Sequence, residues 1–298
     1  MADYADSNSE VQDMAINVES IFYDSGFSYD RKKKLADFIR LRKDTALVVG
    51  TYVDGEDPVS ISTIRGRATA LQNFLKLAPE STYYGTSTCR AVVIGGSGIV
   101  RDGTGVRVPL TYELLDKASR YMGGANGKWD DTQKFDTYPG NSVKLLTSVE
   151  PSFIPKGIKP LLWNAGLVWA QPYSRDEFHF PAWQTVYDDD TSVLNNFLTV
   201  CACGYLTKLA YQTWRNFVGY SGGSDATFLQ EVDADLTART DGIFGPGFTV
   251  ICKAEITASD ERYGYVWHTT AQIYSPTMKT VNIFTIEAFR ASDLKTEE

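Results

Sequence analysis

The stretch that most constrains this chain is residues 30–53, "DRKKKLADFIRLRKDTALVVGTYV", where a helical period gives way to a continuous apolar run. Leu35, Phe38, Ile39 and Leu41 fall on one side of a basic helix, and Asp30 stands where an N-cap is needed. "TALVVGTYV" has no polar alternation, which is the pattern of a strand covered on both faces. The same signals recur downstream. "SISTIRGRATALQNFLKLAPEST" reads as a helix ended near Pro79, and "CRAVVIGGSGIV" as a second buried strand. "PLTYELLDKASRYMGG" reads as a helix that starts near Pro109 and stops at Gly123 and Gly124. Helix, strand, helix, strand, helix at these lengths predicts an α/β layer with parallel pairing.

Between about Gly124 and Pro181 the texture loosens, and "SVKLLTSV" and "PLLWNAGLVWAQP" read as short strands at most. A strand is expected through Val186 and Tyr187, after which the run Asp188, Asp189, Asp190 leads into a long helix over 191–218. Leu194, Leu198, Cys201, Tyr205, Leu206 and Leu209 form its apolar stripe, and Gly219 ends it. A second helix follows, "SDATFLQEVDADLTAR", with Ser224 as its cap, and then three strands: "FTVICKAEIT", "YGYVWHTTAQIY" and "TVNIFTIEAF". The reading is thus an acidic N-terminal arm over 1–29, an α/β core over 30–180 and an α+β part over 181–298. The last strand is unusual. Val281 and Ile283 point one way while Phe284, Ile286 and Ala288 point the other, so both faces are built for burial where little sequence remains to cover them. Either it is a buried strand of its own domain, or its second partner is elsewhere.

The chemistry-bearing residues form no catalytic constellation. "VVIGGSGIVRDGTG" puts glycines after a strand, but the spacing matches neither dinucleotide nor P-loop patterns, and the next helix begins only after Pro109. A plain tight turn explains Gly95 to Gly98 better. A Ser-His-Asp site needs a histidine base, and neither His179 nor His268 has a motif around it. Asp188 to Asp190 is accounted for by a helix start and "DGEDP" at 54–58 by a turn. Cys89, Cys201, Cys203 and Cys252 include no C-x-x-C pair, which argues against zinc and for free thiols in a reducing compartment. No cofactor or metal is implied. A net charge of −8 argues against a nucleic-acid surface. The polar, acidic start and the lack of a ~20-residue apolar run give neither a signal peptide nor a membrane span, so a soluble protein made in a cytoplasm is expected.

Two stretches carry a resemblance. "FPAWQTVYDDDTSVLNNFLTVCACGYLTKLAYQTWRNFVG" with "FTVICKAEITASDERYGYVWHTTAQIYSP" resembles the C-terminal region of contractile tail sheath proteins, and the texture is similar to sheaths of large-genome myophages. "KKKLADFIRLRKDTALVVGTY", "STYYGTSTCRAVVIGG" and "VPLTYELLDKASRY" resemble that family's core, giving a match over roughly residues 30 to 290. Family members are usually longer than this chain, which is either a compact sheath or the C-terminal part of a longer one, and Gln184 stands where many relatives carry arginine before threonine. The resemblance implies a core layer like subtilisin without its active site, an α+β C-terminal domain, and a structural subunit without enzymatic work. It implies subunits stacked as six-fold rings around a tail tube, contracting to drive the tube through a host envelope. The implied partners are other copies of the chain, the tube protein, the baseplate and the tail terminator, with no nucleic acid and no membrane. The implied location is the virion tail, after assembly in the host cytoplasm.

The expected sites are therefore interfaces. Thr280, Val281, Ile283, Phe284, Ile286 and Phe289 form the candidate intersubunit strand, and Ile16, Val18, Ile21 and Phe22 are the arm's apolar contacts. Lys208 and Arg215 on the long helix match the charges that face the tube in the family. Two other readings stand beside this one: a different tail or baseplate structural protein, and a small α/β enzyme with a nucleotide pocket near Gly95 to Gly98.

Overall fold

The computed structural model describes residue 10 and residues 20–42, 44–57, 59–75, 89–101, 103–123, 147–172, 178–180, 183–187, 193–217, 225–240, 249–258, 265–274 and 282–289. Its centre is a parallel sheet of four strands, β1 (Ile21–Tyr23), β2 (Ala46–Gly50), β3 (Ala91–Ile94) and β7 (Leu167–Val168), in that spatial order. The expected two-sided burial of "ALVVG" is borne out, because every residue of β2 is buried. Ala46 and Val48 face one side with Val92 and Ile94, while Leu47 and Val49 face the other with Ala91 and Val93.

Each face is closed by helices whose apolar stripes the sequence spells out. Helices α1 (Tyr29–Leu41), α2 (Ile61–Leu75) and α4 (Lys159–Asn164) cover the second face, contributing Leu35, Ile39, Ile64, Leu71 and Leu162 among others. Helix α1 starts one residue before Asp30, with Ser28 at the cap position, so Asp30 serves as first-turn negative charge rather than cap. On the first face lie α3 (Thr111–Gly123) and α5 (Phe197–Asn216).

Three sequence expectations are corrected. "CRAVVIGGSGIV" is not one strand. Gly96 adopts φ +93°, and a Cβ there would lie 2.5 Å from the Glu150 carbonyl oxygen, so the chain turns sharply. Beyond the turn, β4 (Ser97–Val100) leaves the parallel sheet and pairs antiparallel with β5 (Arg107–Pro109) and β6 (Thr147–Glu150). "PLLWNAGLVWAQP" is not merely strand: it opens on α4, turns at Gly166, and only then gives β7 and β8 (Gln171–Pro172), the latter paired with β9 (Phe178–His179). The strand expected through Val186 and Tyr187 is reduced to one bridge, Gln184 to Asn196, with the Val186 N–H donating to the Ala91 oxygen at 2.8 Å.

Helix α5 is entered through a 3-10 turn (Val193–Asn195) and capped by Asn196, whose Oδ1 accepts the N–H groups of Leu198 (3.0 Å) and Thr199 (3.2 Å). Asp188 to Asp190 and Ser224 lie outside the described residues. From Phe197 to Gly204 every residue of α5 is buried, which is the signature of a helix inside a core rather than on it. Its other side meets α6 (Asp225–Thr240) through Phe228, Val232 and Leu236. The chain closes on an antiparallel meander, β10 (Thr249–Ala258), β11 (Tyr265–Tyr274) and β12 (Asn282–Phe289), as expected from the sequence. One hydrophobic cluster runs from Val48 and Val92 through α5 to α6 and Ala254 of β10, so the boundary drawn at 180/181 falls inside a shared core.

Candidate functional site

In an open parallel sheet the place for a ligand is the crevice at the carboxyl ends of the strands. Here that crevice is filled by the protein's own groups. Asp24, directly after β1, accepts Gly26 N–H (2.9 Å) and Phe27 N–H (2.7 Å) on Oδ1, and Gly50 N–H (3.0 Å) and Lys32 Nζ on Oδ2. Its backbone oxygen accepts the Thr111 hydroxyl at 2.5 Å. Thr51 Oγ1 accepts the Gly96 N–H at 3.1 Å, and Arg67 reaches the Thr51 carbonyl at 3.0 Å while gripping Glu56 in a two-pronged pair. The glycines at 95 and 96 are thus a packing corner: a Cβ on Gly95 would meet Ile64 at 2.8 Å and Leu167 at 3.0 Å. Beside them lies a small apolar crevice lined by Ile61, Ile64, Gly95, Ile154, Leu167 and Trp169, with none of the converging polar groups a nucleotide requires.

Catalytic groups are equally unprepared. Burial pushes the Cys201 and Cys203 thiols far above the ordinary range and the Cys252 thiol up to about 11, so none is a ready thiolate. His179 lies on the two-residue strand β9, and His268 at a mid-strand position of β11 between Glu255 and Glu287 in register. Among the described residues no group of three or more His, Cys, Asp or Glu could hold a metal, and no helix is long and apolar enough to cross a membrane.

The edges of the sheets are the more informative sites. The C-terminal sheet has order β10-β11-β12, which leaves two edges. The β10 edge is blocked at its middle, because Asp233 of α6 accepts the Ala254 N–H at 2.5 Å. Strand β12 pairs with β11 from Ile273↔Asn282 to Val266↔Phe289, placing Ile283 opposite Gln272, Phe284 opposite Ala271 and Ile286 opposite Thr269. Its other edge has no strand partner among the described residues. Of the predicted strand residues, Thr280 and Val281 lie outside the described residues.

The arm residues divide in the same way. Ile16 and Val18 lie outside the described residues, whereas Ile21 and Phe22 belong to β1, at the edge of the central sheet. Within the stretch assigned to an arm from sequence, Ile21, Phe22 and Phe27 pack against the core, and Phe22 lies edge-to-face on Phe38 at 4.5 Å between ring centres. A three-residue strand is too short to show a period, which is why sequence patterning missed it.

No protein-family model matches this sequence, and no curated protein sequence matches it. Solved structures do resemble the fold. The sheath complex of an extracellular contractile injection system, PVC, in its contracted state aligns with a TM-score of 0.54 at 11% identity, covering 97% of this chain and 73% of that one. The fold is that of a contractile sheath. A sheath tail protein from Desulfitobacterium hafniense aligns at TM-score 0.49 and 13% identity, over 93% of this chain. The chain spans 57% of the length of that protein. The contracted helical sheath of the anti-feeding prophage gives 0.43 at 10% identity, covering 92% of this chain and 74% of that one.

On this sheath fold, the two predicted tube-facing charges part company. Lys208 is turned inward: it donates to Ser20 Oγ at 2.9 Å and lies 3.7 Å from the buried Asp44, with only 12% of its side chain exposed. It ties α5 to the amino ends of β1 and β2. Arg215, in the last turn of α5, is exposed between Trp214, which is buried and donates to Thr269 of β11 at 2.8 Å, and the exposed Asn216. Gln184 is buried and donates to the Leu167 oxygen at 3.1 Å, so this residue is a tie to β7.

Proposed function

We propose that this protein is a structural subunit of a contractile tail sheath, with no catalytic role and no cofactor. Copies stack as six-fold rings around a tail tube and contract together, driving the tube through a host envelope. Its partners are other copies of itself, the tube protein, the baseplate and the tail terminator, without nucleic acid or membrane. It is assembled in the host cytoplasm and works in the virion tail, with residues 30–180 forming a subtilisin-like layer that has lost its active site. The observation that carries this reading is the sheath fold over nearly the whole chain at a TM-score of 0.54.

The strand edges support a mode of linkage. In a single chain β12 pairs with its own β11; in a polymer, residues 280–289 complete a sheet shared with a neighbour. Because Asp233 closes the β10 edge, the sheet grows on the β12 side. The part of the arm that precedes β1 is the second linker. Arg215 at the end of α5 faces the tube.

Negative-stain imaging of the full chain, alone and with its tube protein, tests the reading. Rings or tubes are expected, while small discrete particles under both conditions would sink it. A chain lacking residues 280–298 should remain soluble but fail to polymerise. Tubes from that truncation would refute the strand linkage while leaving the sheath reading intact.

A further inference from the structure

We propose that Lys32 and Asp24 condense to an intramolecular isopeptide bond, a modification that does not depend on the sheath reading. Both side chains are fully buried, at 0% exposure, and Lys32 Nζ is in direct contact with Asp24 Oδ2. The surroundings hold the two groups as an acyl-transfer site would. Asp24 Oδ1 accepts two backbone N–H groups, from Gly26 at 2.9 Å and Phe27 at 2.7 Å, which is the donor pair that stabilises the oxyanion of a tetrahedral intermediate. Lys32 Nζ also donates to the Tyr52 carbonyl oxygen at 2.8 Å, fixing the direction of the amine. Burial weakens the hold of Lys32 on its proton, and the Asp24 charge opposes this.

The step balances without any added reagent. The Lys32 ammonium passes one proton to Asp24 Oδ2, leaving a neutral amine beside a carboxylic acid. Nζ attacks Cγ and the C–N bond forms. Oδ2 then takes a second proton from nitrogen and departs as water when its bond to Cγ breaks. The amide keeps an N–H for the Tyr52 oxygen and a carbonyl oxygen for Gly26 and Phe27; only the Gly50 N–H, 3.0 Å from Oδ2, loses its acceptor. Two desolvated charges are replaced by one neutral group, which removes the cost of holding them away from water. The bond would tie the end of β1 covalently to α1, so that the edge strand of the central sheet could not be peeled away from the helix.

Intact mass spectrometry of the denatured, full-length wild-type chain tests this. The expected mass is lower than that of the sequence by one water, and digestion should yield a branched peptide joining Asp24 to Lys32. Succinimides at Asp54–Gly55, Asp102–Gly103 or Asp241–Gly242 would lose the same mass, but mild base reverses them and leaves an isopeptide untouched. Lys32→Arg, which keeps the charge, should return the full mass. A wild-type chain at full mass, or a water loss mapped to any other pair, overturns the proposal. The deciding readout is on the wild-type chain, so it stands whether or not the variant folds.

Discussion

Single residues in this protein answer to burial before they answer to sequence position. Arg42 and Asp44, each 2% exposed, grip one another through two bonds of 2.6 and 3.0 Å, and the Arg42 carbonyl is held by Arg90 and Thr45. Such groups survive in a core only because every charge has been given partners. Nearer the surface the same chemistry counts for less. Arg67 bonds to Glu56 and holds its carboxyl below the ordinary carboxylate value, yet the pair is 22% and 33% exposed and water screens it. Its contribution, below about 1 kcal/mol, is complete above the ordinary carboxylate range and is lost as pH falls through the lowered value. Urea midpoints measured down an acid series should therefore fall less steeply in Glu56→Gln than in wild type. Asn196→Ala removes two bonds at the start of the most buried helix and should cost about 1 kcal/mol in the same assay.

Elements were legible wherever a period ran for two turns or a strand was buried on both sides. Helices α1, α2, α3, α5 and α6 and strands β2, β10, β11 and β12 all follow from "DRKKKLADFIRL", "ALVVG" and their counterparts. Illegible elements were short, like β1 and β7, or were cut by a backbone turn that composition does not reveal. Gly95 and Gly96 sit inside an apolar run, and the break between β3 and β4 falls at Gly96, whose left-handed φ and nearness to the Glu150 oxygen only the fold reveals. Gly96→Ala should accordingly destabilise by about 2 kcal/mol, read as a lowered denaturant midpoint, because it faces both a left-handed φ and a backbone clash. Asp233→Ala frees the Ala254 N–H on the β10 edge. It should cost roughly 1 kcal/mol and speed aggregation, measured by light scattering at matched concentrations.

At the scale of the whole molecule, α5 decides the architecture. It packs against the parallel sheet on one side and α6 on the other, and Trp214 ties it to β11. The central sheet and the C-terminal sheet are therefore joined through a packed helix. Arg215→Glu should leave the fold and thermal unfolding unchanged while weakening co-assembly with the tube protein in pelleting assays. Lys208→Met should lower stability instead, since it severs the tie from α5 to Ser20 and Asp44.

The sequence by itself determined the α/β class, the order of the long elements, the two-faced burial of the central strands and the lack of a catalytic motif. Those follow from local periodicity and from residue types that chemistry requires, both of which are written in one dimension. Only the tertiary structure decided that Ile21 and Phe22 join the central sheet, that Lys208 contacts Ser20 and Asp44, that Asp24 and Lys32 meet, and that one core spans both halves. Each of those rests on contacts between distant segments or on a turn without a period, where burial and backbone sterics, rather than spacing along the chain, set the outcome.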